Sequence, residues 1–202
     1  FCQNWQISQA NPEDIPSYDL PAQSAVLLSV QEQCPMIAYT YTDPIAFFEY
    51  TLDTATAART AGLRNVLVTS GYANRKPLEQ LYRVADAANT DLKFIRDDLY
   101  RRITTGTLQP VLDGLVLAKR MNIWLEVTHL IIPALNDSTS DLRQLCRWMY
   151  ENLGPDTPLH FSRFYPQYLM KNLPETPVST LEAAYDIAKE TGLRYVYVGN
   201  VW

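Results

Sequence analysis

Hydrophobic spacing along this chain switches repeatedly between period 2 and period 3.6. Pro21 leads into a helix whose stripe is Val26, Leu27 and Val30, and residues 36–42 then read as a strand. Over residues 46–61 the spacing is helical, with Phe48, Leu52, Ala55 and Ala58 on one face, and Gly62 closes that helix before a strand at 65–69. The alternation continues with a helix at 77–84, a strand at 86–91, helical segments at 97–103 and 108–121, and a strand at 123–132. Ser138 with Asp141 opens a helix carrying Leu142, Leu145, Met149 and Leu153, and residues 159–164 return as a strand. Ser179 with Glu182 reads as a capping box for a last helix with Leu181, Ala184, Tyr185 and Ala188 inside, and residues 195–198 form a final strand.

Strands separated by helices with no hairpin turn imply parallel crossovers, hence repeated βα units around a parallel sheet, either a barrel or a doubly wound sheet. An internal echo supports this: Thr60-Ala61-Gly62-Leu63-Arg64-Asn65-Val66 recurs in kind as Glu190-Thr191-Gly192-Leu193-Arg194-Tyr195-Val196. In both, Gly suits the left-handed position after a helix and Leu folds back before the strand. No G-x-G-x-x-G or phosphate-binding loop follows any strand.

In such proteins the chemistry sits at the C-terminal ends of the strands, and here those ends are polar: Thr40-Tyr41-Thr42-Asp43, Thr69-Ser70-Gly71-Tyr72, Asn89-Thr90-Asp91-Leu92-Lys93, Thr128-His129, and His160 to Tyr165. Strand alternation puts Asn89, Asp91 and Lys93 on one face, opposite Ala88, Thr90 and Leu92, and Glu126 with Thr128 opposite Leu125 and Val127. Charged groups converging inside a barrel are costly unless paired, so they mark either a ligand site or an internal salt-bridged network. His129, on the face of Val127, reads as a structural histidine, Asn136-Asp137-Ser138 as capping chemistry, and Cys34 and Cys146 as packing residues.

Composition narrows the classes. At 202 residues, 47% hydrophobic and 19% charged, the chain has the size of one soluble domain. Seventeen basic against 22 acidic residues, net charge −5, argue against nucleic acid as a partner. Three widely spaced cysteines fit a reducing, cytoplasmic setting, not a disulfide framework. No apolar run approaches the ~18 residues of a membrane span. The opening Phe1-Cys2-Gln3-Asn4-Trp5, with no initiator Met, reads as cut from something longer, and Cys2 alone cannot hold a metal that needs three or four ligands.

Taken together these stretches resemble the radical SAM proteins, and within them the AmmeMemoRadiSam-system proteins, relatives of pyruvate formate-lyase activating enzyme. The similarity runs over nearly the whole chain. Phe1-Cys2-Gln3-Asn4-Trp5 looks like the end of a C-x-x-x-C-x-x-C cluster motif, Tyr39 to Pro44 like the segment meeting the amino group of S-adenosylmethionine, Thr69-Ser70-Gly71 like a T-N-G stretch, and Asp91-Leu92-Lys93 like D-L-K. Asp43 stands where relatives have Glu, Ser70 where they have Asn, Ala134 where they have Gly, and Tyr165 where a His is usual.

The resemblance implies a partial (β/α) barrel of parallel strands, residues 1–202 forming one domain that lacks its N-terminal part and first strand. It implies a 4Fe-4S cluster with Cys2 as one ligand, and S-adenosylmethionine contacted by Phe1, Thr42, Asp43, Thr69, Ser70, Asp91, Lys93 and Tyr165. The implied activity is reductive cleavage of S-adenosylmethionine to a 5'-deoxyadenosyl radical, with an electron donor and a substrate, protein or small molecule, as partners; the 202 residues alone would be inactive. Two other readings stand beside it: a non-catalytic βα-barrel binding domain, and a cluster-independent barrel enzyme using Glu126, Asp91 and Lys93.

Overall fold

A computed structural model describes residues 4–16 and 18–201. Six strands, β1 (Met36–Tyr39), β2 (Arg64–Thr69), β3 (Ala87–Asp91), β4 (Trp124–Ile131), β5 (Leu159–Arg163) and β6 (Val196–Gly199), pair in parallel in sequence order. That order decides between the two architectures. Every crossover advances in the same direction, and because crossovers are right-handed, all connecting helices fall on one face; a doubly wound sheet needs a reversal of strand order. Among the described residues β1 pairs only with β2 and β6 only with β5, so the sheet is an open partial barrel with β1 at one edge.

The helices are α1 (Trp5–Ser8), α2 (Ala22–Gln31), α3 (Phe48–Thr60), α4 (Arg75–Val84), α5 (Asp97–Leu99, continuing as a π turn over Tyr100–Thr104), α6 (Gln109–Arg120), α7 (Thr139–Leu153) and α8 (Val178–Thr191). They cover the strand positions that alternate towards them. In β4 these are Leu125, Val127, His129 and Ile131, all buried, while Glu126, Thr128 and Leu130 on the opposite face are half-buried. Leu145, Met149, Leu159, Phe161 and Leu181 complete the core beneath α7 and α8.

The glycine–leucine echo in the sequence is a Schellman turn. Gly62 (φ +81) and Gly192 (φ +102) take left-handed conformations, and the amides of Leu63 and Leu193 donate to the carbonyls of Ala58 and Ala188. The same turn ends α2 and α6 without glycine: Gln33 and Asn122 have positive φ, and the Cys34 and Ile123 amides donate back to Ser29 and Ala118. Four of the helix-to-strand joints are thus one module, of which sequence similarity marks two.

Several expectations are corrected. The last helix begins at Val178 with Pro177 at its boundary, so Ser179 is already helical and caps nothing. Ile187, not Tyr185, completes its inner face: Ile187 is buried and Tyr185 exposed. Only Val26 of the α2 stripe is buried, Leu27 and Val30 being exposed, because α2 packs on α3 at the sheet edge and is covered along a narrow line. β1 stops at Tyr39, since the chain leaves the ladder to deliver Asp43 to the end of β2. Ser138 does cap α7, accepting from the Asp141 amide.

Candidate functional site

At the C-terminal end of β2, the Asp43 carboxylate organises the turn. Its Oδ1 accepts from the Thr69 hydroxyl at 2.8 Å and from the Ile45 amide at 3.1 Å, and its Oδ2 from the Ser70 amide at 2.9 Å. Three of roughly four acceptor positions are therefore taken. The Thr69 hydroxyl also accepts from the Gly71 amide, so its donor and one of its two acceptor positions are in use. Thr42 is exposed beside them, and Ser70 half-buried.

Gly71 makes this turn possible. Its φ is +66, and a Cβ there would lie 2.7 Å from Cγ2 of Thr90 in β3. Gly71→Ala is accordingly expected to destabilise the fold by about 2–3 kcal/mol, a left-handed residue plus a clash with a packed side chain. Urea denaturation measures this, and a loss below about 1 kcal/mol would contradict the packing of this turn on β3.

The end of β3 carries an ion pair. Lys93 Nζ lies 2.6 Å from Asp91 Oδ2, their side chains 40% and 32% exposed, while Leu92 and Phe94 are buried behind them. The sharing of a face by Asn89, Asp91 and Lys93 is thus borne out, with Asn89 accepting from the Thr128 hydroxyl at 2.8 Å. The Lys93 backbone is fastened at both ends: its amide donates to the Tyr100 hydroxyl, and its carbonyl accepts from Asn136 Nδ2. Burial raises the Tyr100 pKa and keeps that hydroxyl protonated. Beside this pair, Ser70, Tyr72, Tyr100, Thr104 and Gly106 enclose a cavity of about 290 Å³ that Lys93 helps to line.

Behind Lys93 lies a buried network that sequence spacing only hinted at. His129, 1% exposed, places Nδ1 2.6 Å from the Leu92 carbonyl, and its Nε2 faces Asn136 Nδ2 at 3.2 Å. With Nδ1–H donating and Nε2 accepting, the ring is neutral, and burial pushes its pKa down to about 4. Asn136 Oδ1 accepts from the Ile132 amide, and its two Nδ2–H donors are shared among the Leu130 and Lys93 carbonyls and His129 Nε2. His129 is therefore the structural histidine that its face implied, while Asn136 is a buried bracket as opposed to a helix cap.

Around β5 and β6, Tyr165 accepts from Arg163 Nη1 and donates to the Asn200 carbonyl, tying the two strand ends together. The Arg163 guanidinium stands over the Tyr165 ring at 5.1 Å and pairs with Glu175. A cation is thus present next to the tyrosine, supplied by a residue whose position in a short polar stretch gave no separate signal. Trp5 stacks on Tyr168 at 5.2 Å, bringing α1 to the loop after β5.

Glu126 does not join Asp91 and Lys93. It accepts from His160 Nε2 at 2.6 Å and from Trp124 Nε1 at 3.1 Å, so the three residues grouped for a cluster-independent enzyme are divided between two sites. Phe1 and Cys2 lie outside the described residues. Among the described residues no three His, Cys, Asp or Glu side chains come together as metal ligands; Cys146 is buried, which pushes its thiol up to about 12, and Cys34 is exposed. No helix among them is long and apolar enough to cross a membrane.

Comparison with known proteins agrees with this geometry. The profile described as the radical SAM superfamily matches residues 1–149. An uncharacterized protein of Methanocaldococcus jannaschii is 44% identical over 200 residues, which cover 99% of this chain and 59% of that protein. The pyruvate formate-lyase-activating enzyme of Clostridium pasteurianum is 26% identical over 97 residues, 48% of this chain and 40% of the enzyme. This chain therefore spans less than two thirds of the length of either relative.

Among solved structures, a domain of a pyruvate-formate lyase-activating enzyme from Bacteroides vulgatus superposes with TM-score 0.70 at 11% identity, covering 82% of this chain and 99% of that one. Streptococcus suis SuiB bound to S-adenosylmethionine superposes with TM-score 0.72 at 9% identity, covering 95% and 46%. At these identities the likeness is one of fold. The profile match spans β1 to β4 and most of α7, with every strand end described above except those of β5 and β6, and on it the chain belongs to the radical SAM superfamily.

Proposed function

We propose that this chain binds S-adenosylmethionine at the C-terminal ends of β1 to β5 and serves its reductive cleavage. The observation that carries this is the Asp91–Lys93 pair: half-exposed at a strand end, beside a cavity, with a backbone fastened from behind. The cofactor offers a carboxylate, an ammonium, two ribose hydroxyls and an adenine. Lys93 keeps two of its three N–H donors for the carboxylate, and Asp91 keeps an oxygen free to accept from a hydroxyl or the ammonium. The remaining acceptor position of Asp43, with the Thr42 and Ser70 hydroxyls, suits the ammonium. Tyr165, with the Arg163 charge beside it, borders the site from β5.

A 4Fe-4S cluster, when bound, would supply the electron for reductive cleavage of S-adenosylmethionine to methionine and a 5'-deoxyadenosyl radical. In this reading Cys2 gives one thiolate and Phe1 borders the adenine. The other two thiolates in this reading are the two earlier cysteines of the C-x-x-x-C-x-x-C motif that Phe1-Cys2 resembles. The AmmeMemoRadiSam grouping, a cytoplasmic setting, an external electron donor and a substrate that is protein or small molecule belong to the same proposal.

The test uses the full-length protein, purified without oxygen and reconstituted with iron and sulfide. It is expected to hold one 4Fe-4S cluster, to lose it on Cys2→Ala, and to release 5'-deoxyadenosine when given S-adenosylmethionine and dithionite. Unchanged iron content in the Cys2→Ala protein, or a stable full cluster on the 202 residues alone, would overturn the ligand assignment.

A further inference from the structure

The face of the sheet opposite the helices carries a second constellation, centred on His160. Strand register places Asp91, Thr128, His160 and Tyr197 in one row across β3 to β6, so His160 stands two strands, about 10 Å, from Asp91. Its ring is fixed twice: Nε2 donates to Glu126 Oε2 at 2.6 Å, and the plane stacks on Tyr197 at 5.0 Å and 21°. Glu126 is itself held, its Oε1 accepting from Trp124 Nε1. The His160 side chain is about a third exposed, at 32%, and among the described residues Nδ1 has no hydrogen-bond partner.

We propose that His160, oriented by Glu126, is a substrate-contacting acceptor: Nδ1 receives a hydrogen bond from an O–H or N–H of a molecule lying on the open face. This rests on the function proposed above only in placing that molecule within reach of the cofactor. With Nε2–H committed to Glu126, the ring presents a lone pair at Nδ1, the arrangement of a base held in one tautomer by a carboxylate. The surroundings select the ligand. Tyr197 and Trp124, 50% and 64% exposed, offer aromatic surface, while the Glu126 carboxylate beside the ring repels an anion. The class that fits is an uncharged, largely apolar or aromatic moiety bearing one hydroxyl or amide donor. A merely structural ion pair would leave Nδ1 facing water and indifferent to such a molecule.

These 202 residues hold two histidines, and in the nitrogen-15 histidine-labelled full-length protein the signals lost in His160→Gln and in His129→Gln assign both. The proposal expects opposite tautomers, Nδ1–H at His129 facing the Leu92 carbonyl and Nε2–H at His160 facing Glu126. Phenol is expected to shift the His160 Nδ1 resonance saturably, whereas anisole, which lacks the donor, and benzoate, which is anionic, do not. Glu126→Leu is expected to mix the His160 tautomers and weaken phenol about 2- to 10-fold, the range of one hydrogen bond, with unchanged His129 signals reporting that the fold is intact. S-adenosylmethionine affinity, measured on the same samples, should not change. An Nδ1–H tautomer at His160, or no phenol response while His129 stays native, overturns the proposal. Failure of S-adenosylmethionine to bind while phenol binds would overturn the cofactor reading and leave this one standing.

Discussion

Lys93→Ala is expected to weaken S-adenosylmethionine binding by about 1.5–3 kcal/mol, roughly 10- to 150-fold, the usual range for a charge-assisted hydrogen bond. The substitution isolates the ammonium because the backbone at Lys93 is held by Tyr100 and Asn136, neither of which depends on the side chain. It also leaves Asp91 without its partner, turning a neutral pair into an anion facing the methionine carboxylate. Fold stability should change by less than about 1 kcal/mol, because both side chains are a third or more exposed and solvent screens the pair. Titration calorimetry against thermal unfolding separates the two effects. Unchanged affinity would remove Lys93 from the cofactor site, and a matching loss of stability would make the pair structural.

The second large effect is expected from acid. His129 is neutral in the fold with a pKa near 4, against 6.5 for a free imidazole, because a charge there would be desolvated. The unfolded chain therefore takes up a proton that the folded chain refuses, and stability from this group, complete above about pH 6.5, declines as pH falls towards 4. A depression of that size corresponds to about 3 kcal/mol at most. Urea unfolding between pH 7.5 and 4 measures the decline, and the His129 nitrogen resonances should remain neutral at pH 5 in the folded protein. A protonated, folded His129 at pH 5 would refute this. Asn136→Ala is expected to cost about 3–5 kcal/mol at neutral pH, since it orphans the Ile132 amide and the Leu130 and Lys93 carbonyls together.

Several features of this structure are set by short stretches of its sequence. The βα alternation, the face shared by Asn89, Asp91 and Lys93, the Ser138 cap and the glycine turns at Gly62 and Gly192 were all legible. Each depends on residues within a few positions of one another, where the period of the backbone and the needs of a helix end act directly. The motifs resembling radical SAM proteins were legible for the same reason, as short runs in a fixed order.

What the sequence could not decide depends on partners distant along the chain. Whether Leu27 and Val30 are buried turns on α2 packing chiefly on α3 at the sheet edge. Barrel against doubly wound sheet was open because both share the same local alternation and differ only in strand order. Charge and face alone group Glu126 with Asp91 and Lys93; register sets Glu126 diagonal to both Asp91 and His160, and a hydrogen bond spanning 34 residues gives it to His160. Local pattern thus fixed the elements and the faces of this protein, while pairing across strands, an interaction between residues that sequence distance does not relate, decided which side chains share a site.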